Sequence, residues 1–182
     1  MDKTREDITV KFSRVWAMPS AWTFTIKPIK ELLSRYVPDG HGWIDPYSGL
    51  YSPAQYTNDM LPERNAIFCM DALEFCTTVL HHIKPNGGFE GILFDPPYSY
   101  RQVSEHYKEA GRRATSMDTS TNFYNRIKNA TADHIKQNGL AISFGWNSVG
   151  FGKNRGFELE EILLVCHGGH HNDTIVTVER KR

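Results

Sequence analysis

Residues 91–98 read Gly91-Ile92-Leu93-Phe94-Asp95-Pro96-Pro97-Tyr98, and their reading decides the fold. A continuous apolar run, entered after the turn Pro85-Asn86-Gly87-Gly88 and closed by two prolines, is the pattern of a strand buried on both faces. Leu140 to Phe144 repeats the pattern, Trp43-Ile44-Asp45 is a shorter version, and Ala66 to Met70 reads as a further apolar strand. Helical spacing separates these runs. Ile29, Leu32, Leu33 and Tyr36 recur behind Lys27-Pro28 until Pro38-Asp39-Gly40 stops them. Asp71 is placed to cap a helix from Ala72 to about Ile83, and roughly 120–137 reads as a helix ended by Asn138-Gly139. An extended segment from Gln55 to Asp59 breaks at Pro62, and residues 99–119 read as a long polar loop with some helix. Residues 157–166 and 174–180 bracket His167-Gly168-Gly169 as an antiparallel hairpin. Buried strands alternating with helices imply an α/β fold, with a mostly parallel sheet, a C-terminal antiparallel hairpin and helices on both faces.

Length and composition set the frame. At 182 residues the chain reads as one domain spanning 1–182, and a hydrophobic fraction of 40% describes an ordinary globular protein. Lys plus Arg and Asp plus Glu both total 21, which argues against binding nucleic acid by overall charge alone but leaves room for a local basic face. Cys69, Cys76 and Cys166 form no CxxC pair and sit among apolar neighbours, the setting of buried free thiols in a reducing compartment. The segment Met1-Asp2-Lys3-Thr4-Arg5 and its neighbours lack the apolar core of a signal peptide, and no stretch approaches the ~20 apolar residues of a membrane span. The expectation is a cytoplasmic protein that does not engage a membrane.

Ligands of open α/β sheets collect at the C-terminal ends of the strands. Asp45, Asp59 and Asp95 fall at such ends, with Asp71 at a fourth, and acids recur there more often than a structural core needs. Each taken singly also suits a helix cap or a turn. In 95–98 two prolines lock φ and remove two backbone donors, so nearby carbonyls stay free to accept. Asp95 adds an acceptor, and Tyr98 adds a ring face for stacking. Acceptors beside an aromatic face suit an amino group on a flat heterocycle, such as adenine N6. A rigid turn between strand and loop uses the same residue types. No GxGxxG or GxxxxGK[ST] occurs, which speaks against nicotinamide and nucleoside-triphosphate sites. The histidine groups His81-His82 and His167 to His171 lack an HExxH or CxxC companion, so no metal site is expected.

Asp95-Pro96-Pro97-Tyr98 behind an apolar strand resembles the catalytic motif of S-adenosylmethionine-dependent amino-methyltransferases, the DNA adenine-N6 type most closely. The rest of the chain follows in the same order. Residues 19–33, including Trp22, Thr23 and Phe24, resemble the motif that contacts the cofactor's methionine part. Asp45-Pro46 to Gly49 resembles the first cofactor loop, usually written DPFxGxG. Asp59 resembles the acid that holds the ribose hydroxyls, and Asp71-Ala72 the element beside the cofactor's adenine. The resemblance implies a Rossmann-like methyltransferase fold, S-adenosylmethionine as cofactor, and a small phage-type member without a large target-recognition domain. It implies a methyl transfer to adenine N6 in DNA, with the base flipped from the duplex. Cytosine N4, an RNA adenine, and a non-catalytic nucleic-acid-binding or partner subunit remain the alternatives. One departure stands out: where the family loop carries a second glycine, Gly49 is followed by Leu50-Tyr51, so the loop must take another shape.

Between 99 and 136, seven basic residues oppose four acidic ones, interleaved with Tyr100, Tyr107, Phe123 and Tyr124. This segment is expected to be an insert touching the substrate, with Tyr100, Arg101, Arg112 and Arg113 on phosphate or base, joined by Lys153 and Arg155. A solvated helix face is the competing reading of those charges. The expected target is short or loosely read, or else a homodimer completes its recognition.

Overall fold

The computed structural model describes residues 9–109, 111 and 121–182. Strand β4 (Phe89–Phe94) is the run that opened the sequence reading, and it lies inside a seven-stranded sheet. Its neighbours are β2 (Trp43–Asp45) and β5 (Ile135–Gly145), both parallel to it. Beyond β2 lies the short β3 (Tyr56–Thr57). On the other side β7 (Thr174–Lys181) runs antiparallel between β5 and β6 (Phe157–Cys166). A parallel edge strand, β1 (Lys11–Trp16), completes the order β1-β6-β7-β5-β4-β2-β3.

Side chains that alternate along each strand feed two cores, one per face. Leu93, Leu140, Ile142, Val176 and Val178 face Ile29, Leu32 and Leu33 of α1 (Lys27–Tyr36). Ile92, Phe94 and Ala141 face the opposite way. They meet Ala72 of α2 (Ala72–Glu74), Phe75 and Cys76 of a following π turn, Leu80 of α3 (Leu80–Ile83) and Ile127 of α5 (Thr121–Ala132). Gly91 is where two strands crowd a ring: a Cβ there would lie 2.6 Å from Trp43 and 2.7 Å from the Leu140 carbonyl.

Several expectations shift. Residues 99–119 were expected to be mostly loop, yet α4 spans Tyr100–Glu109. Its start is a capping box: Gln102 N donates to Ser99 Oγ, and Ser99 N donates to Gln102 Oε1. The helix expected to reach 137 ends at Ala132. Asn138, at φ 64°, sits inside β5, and the pairing register with β4 shifts there rather than the strand ending. The strand expected over 66–70 reduces to one bridge, Asn58 to Phe68, because alternate residues, Ile67 and Cys69, face solvent. Hence Cys69 is exposed, Cys166 half-buried and Cys76 alone fully buried, where all three were expected inside. No helix among the described residues is long and apolar enough to cross a membrane.

Candidate functional site

Chain order reverses at β2 and β4: β2 leads outward to β3, whereas β4 leads inward to β5. Loops leaving two adjacent parallel strands in opposite directions open a crevice at their C-terminal ends. A cavity of about 1120 Å³, its open mouth included, lies at this point.

The loop after β2 forms one wall, and buried Asp45 organises it. One carboxylate oxygen accepts from Tyr47 N at 2.9 Å and the other from Ser52 Oγ at 2.6 Å, so both ends of the loop are tied to the end of β2. Burial pushes this carboxyl up to about 7; the two hydrogen bonds oppose the rise, and the charges of Asp95 and Asp59 add to it. Asp45 therefore lies under the loop and not on the cavity wall. Asn58 carries the tie further, donating to the carbonyls of Pro46 and Met70 and accepting, through its own carbonyl, from Ser48 N.

Asp59, just past β3, accepts from Gly49 N at 3.1 Å and Leu61 N at 2.9 Å. Each bond uses a different oxygen, which leaves lone pairs directed elsewhere. Asp71 caps α2, accepting from Leu73 N and Glu74 N, and also lines the cavity. Gly49, at φ 55°, packs so that an added Cβ would lie 3.4 Å from the Trp22 ring.

Asp95 leaves β4 at the cavity floor. Tyr98 Oη donates to its Oδ1, and Tyr124 Oη donates to the Pro97 carbonyl, closing the tetrad from both sides. Burial raises the Asp95 carboxyl, while bonds from Tyr98 and Thr23 lower it. Tyr98 thus presents its hydroxyl to Asp95, and its ring packs against Trp146, centroids 5.7 Å apart. A Cβ at Gly145 would come within 3.3 Å of the same ring. Above, Gln102, Val103 and Tyr107 of α4 and Phe123 and Tyr124 of α5 complete the lining.

Thus Trp22, Thr23, Phe24, Pro46, Gly49, Asp59, Asp71, Ala72 and the tetrad Asp95 to Tyr98 share one cavity, and Asp45 lies beneath it. Of the expected basic contacts, Lys153 and Arg155 have described side chains. Arg155 is held by Asn125, Asn129 and the Phe151 carbonyl, so its donors face inward. Lys153 is exposed. Tyr100 and Arg101 begin α4, with side chains outside the description, and Arg112 and Arg113 lie outside the described residues. His167 bridges the Ala17 carbonyl and Thr174 Oγ1 and so ties β1 to the hairpin. Sequence reasoning overlooked Arg64, which reaches the cavity wall from beyond β3 and carries no motif of its own.

No protein-family model and no curated protein matches the sequence. Solved structures do match in fold. TrmN from Thermus thermophilus aligns with a TM-score of 0.55 at 16% identity, over 86% of this chain and 49% of that one. The magnesium protoporphyrin IX methyltransferase ChlM from Synechocystis PCC 6803, with bound SAM, aligns with a TM-score of 0.50 at 12% identity, over 86% and 79%. The chain spans about half the length of TrmN. At these identities the likeness is one of architecture: the chain has the Rossmann-like methyltransferase fold, with its cavity at the C-terminal ends of the parallel strands.

Proposed function

We propose that this chain transfers a methyl group from S-adenosylmethionine to the exocyclic N6 amine of adenine in DNA. The observation that carries the reading is the meeting of Asp95-Pro96-Pro97-Tyr98 with Asp59 and Asp71 in one cavity. The donor set suits the cofactor. Asp59 has lone pairs to spare for ribose hydroxyls, Asp71 stands beside Ala72 and Met70 where a flat base with an amine fits, and Gly49 leaves a narrow cradle against Trp22. When bound, S-adenosylmethionine supplies a methyl on a sulfonium, and the C–S bonding electrons leave with the sulfur as S-adenosylhomocysteine.

The protein's part is to make the amine nucleophilic and to take its proton. Tyr98 holds Asp95 Oδ1 and Thr23 also bonds the carboxylate, whose remaining lone pairs, those of Oδ2 among them, accept from N6. The Pro96 carbonyl, freed by the absence of a proline N–H, is the second acceptor. Drawing both N6 hydrogens toward these oxygens localises the lone pair that the purine ring otherwise delocalises, and alignment in the cavity supplies much of the remaining acceleration. As the N–C bond forms, one N6 proton passes to Asp95 Oδ2, whose affinity for it burial has raised. Trp146, 45% exposed beside Tyr98, offers a ring to a base turned out of its stack at a cost of a few kcal/mol.

The preference for adenine, and for DNA, rests on the resemblance of the tetrad to the adenine-N6 family. Incubation with labelled S-adenosylmethionine and DNA, followed by nucleoside mass spectrometry, is expected to show N6-methyladenine. Label in N4-methylcytosine alone, or in RNA alone, would refute the substrate assignment. Asp95→Ala is expected to abolish transfer with the fold intact.

A further inference from the structure

Arg64 ends the short turn Pro62–Arg64, which is fixed by Arg64 N donating to the Leu61 carbonyl and by the left-handed Asn65 at φ 54°. Its guanidinium lies over the Trp22 ring, 4.9 Å from the centroid, and Trp22 meets Tyr51 edge to face at 5.7 Å. The Arg64 side chain is only 19% exposed, and among the described residues its buried Nε has no acceptor and its nearest acid, Glu109 of α4, stands at 3.9 Å, an ion pair beyond hydrogen-bond reach. Among the described residues this planar, oriented guanidinium has one long ion pair and no hydrogen-bonded acceptor, and its buried Nε–H is costly to keep unless something else accepts from it.

Among the described residues lining the cavity, Arg64 is the one lysine or arginine, against the acids Asp59, Asp71 and Asp95. S-adenosylmethionine presents an ammonium, a sulfonium, hydroxyls and an amine, all suited to acids, and a single anion, its α-carboxylate. The loop does not offer that anion a glycine-rich cradle of N–H groups. Gly49 N already donates to Asp59, and Tyr51 stands where a glycine would let the backbone approach.

Resting on S-adenosylmethionine as the cofactor, we propose that Arg64 binds the α-carboxylate of its methionine part, held in position by Trp22 and Tyr51. Arg64, Trp22 and Tyr51 together take over what the altered loop gives up. Glu109 is then a neighbour that the carboxylate displaces.

Calorimetry on the full chain separates this from a packing role, using S-adenosylhomocysteine and 5′-methylthioadenosine, which shares the nucleoside and thioether but has no amino-acid part. Arg64→Met keeps the stem over Trp22 and removes the fork. It is expected to weaken S-adenosylhomocysteine binding by about 10- to 100-fold and to leave 5′-methylthioadenosine within about threefold, the loss of a charge-assisted hydrogen-bonded pair. Arg64→Lys is expected to recover part of that loss. Glu109→Gln is expected to bind both ligands as the wild type does. Equal weakening of both ligands by Arg64→Met, or no weakening, overturns the assignment, as does a Glu109→Gln loss matching that of Arg64→Met. Wild-type protein that binds neither ligand overturns the cofactor reading instead, and this inference with it.

Discussion

Asp45 is fully buried, accepts two hydrogen bonds, and has its carboxyl raised to about 7 from the ordinary 3.8. Asp45→Asn isolates what that burial does. Asparagine keeps an acceptor for Tyr47 N and turns its other end into a donor toward Ser52 Oγ, so it resembles the protonated acid at every pH. Because the folded carboxyl holds its proton more tightly than the unfolded one, the wild type is most stable where both forms are protonated. That stability is lost as pH rises through the window from about 4 to about 7. Relative to Asp45→Asn, the wild type is expected to lose roughly 2–3 kcal/mol between pH 5 and pH 8, the linkage integral over the part of that window which the two pH values enclose. Above pH 7 the gap should level off, since the proton is then absent from both states.

Urea unfolding of both proteins at half-unit steps from pH 5 to pH 8.5 measures the gap directly. Other titrating groups are present in both chains and cancel to first order. One result would refute the reasoning. A gap that stays flat across the range would mean that the folded carboxyl is ionised throughout and that its hydrogen bonds outweigh burial.

Tyr98→Phe keeps the ring against Trp146 but removes the donor to Asp95. Transfer is expected to fall roughly tenfold, and the acidic limb of its pH profile to move upward, because the lost bond was lowering the Asp95 carboxyl; an unshifted limb would separate Asp95 from the titrating group. Glu179 is buried and accepts from Phe151 N and Gly152 N, which anchors the loop carrying Trp146. Glu179→Ala strands two donors and should cost about 2–4 kcal/mol in denaturant unfolding. Gly91→Ala drives a methyl into Trp43 and the Leu140 carbonyl, and a loss of about 1–3 kcal/mol is expected by the same assay.

What could be read from the sequence was whatever a local pattern determines. Continuous apolar runs marked β2, β4 and β5, spacing marked α1, and Pro96-Pro97 fixed where β4 stops. The acid past β4 was legible for the same reason, since a buried strand delivers its next polar residue to the sheet edge, whereas Asp59 follows the half-buried β3 and was legible from its place in the motif order. The edge strand β1 was overlooked: with Phe12 and Trp16 exposed, it lacks a doubly buried run and draws its order from pairing with β6. The α4 start was legible in Ser99-x-x-Gln102, but the polar composition of the segment masked it. Asn138 misled because it takes a left-handed φ within a strand rather than at a helix end.

The cofactor loop shows where local pattern stops being informative. Read by motif, Gly49-Leu50-Tyr51 is a defect in a glycine-rich cradle. In three dimensions the same residues have a different support. Asp45 fastens both ends of the loop to the end of β2, Asp59 receives Gly49 N, and Tyr51 leans on Trp22, which carries Arg64. The Asp45 ties are local to the loop, at i+2 and i+7, but those from Asp59, Trp22 and Arg64 join residues from separate loops and have no spacing that sequence could reveal. A loop with fewer glycines has fewer unfolded conformations to lose and relies on side chains for its shape. A glycine in place of Tyr51 would therefore not restore a family-like site. It would remove the edge-to-face support of Trp22, slacken the stack under Arg64, and leave the loop with a freedom that its other anchors do not need.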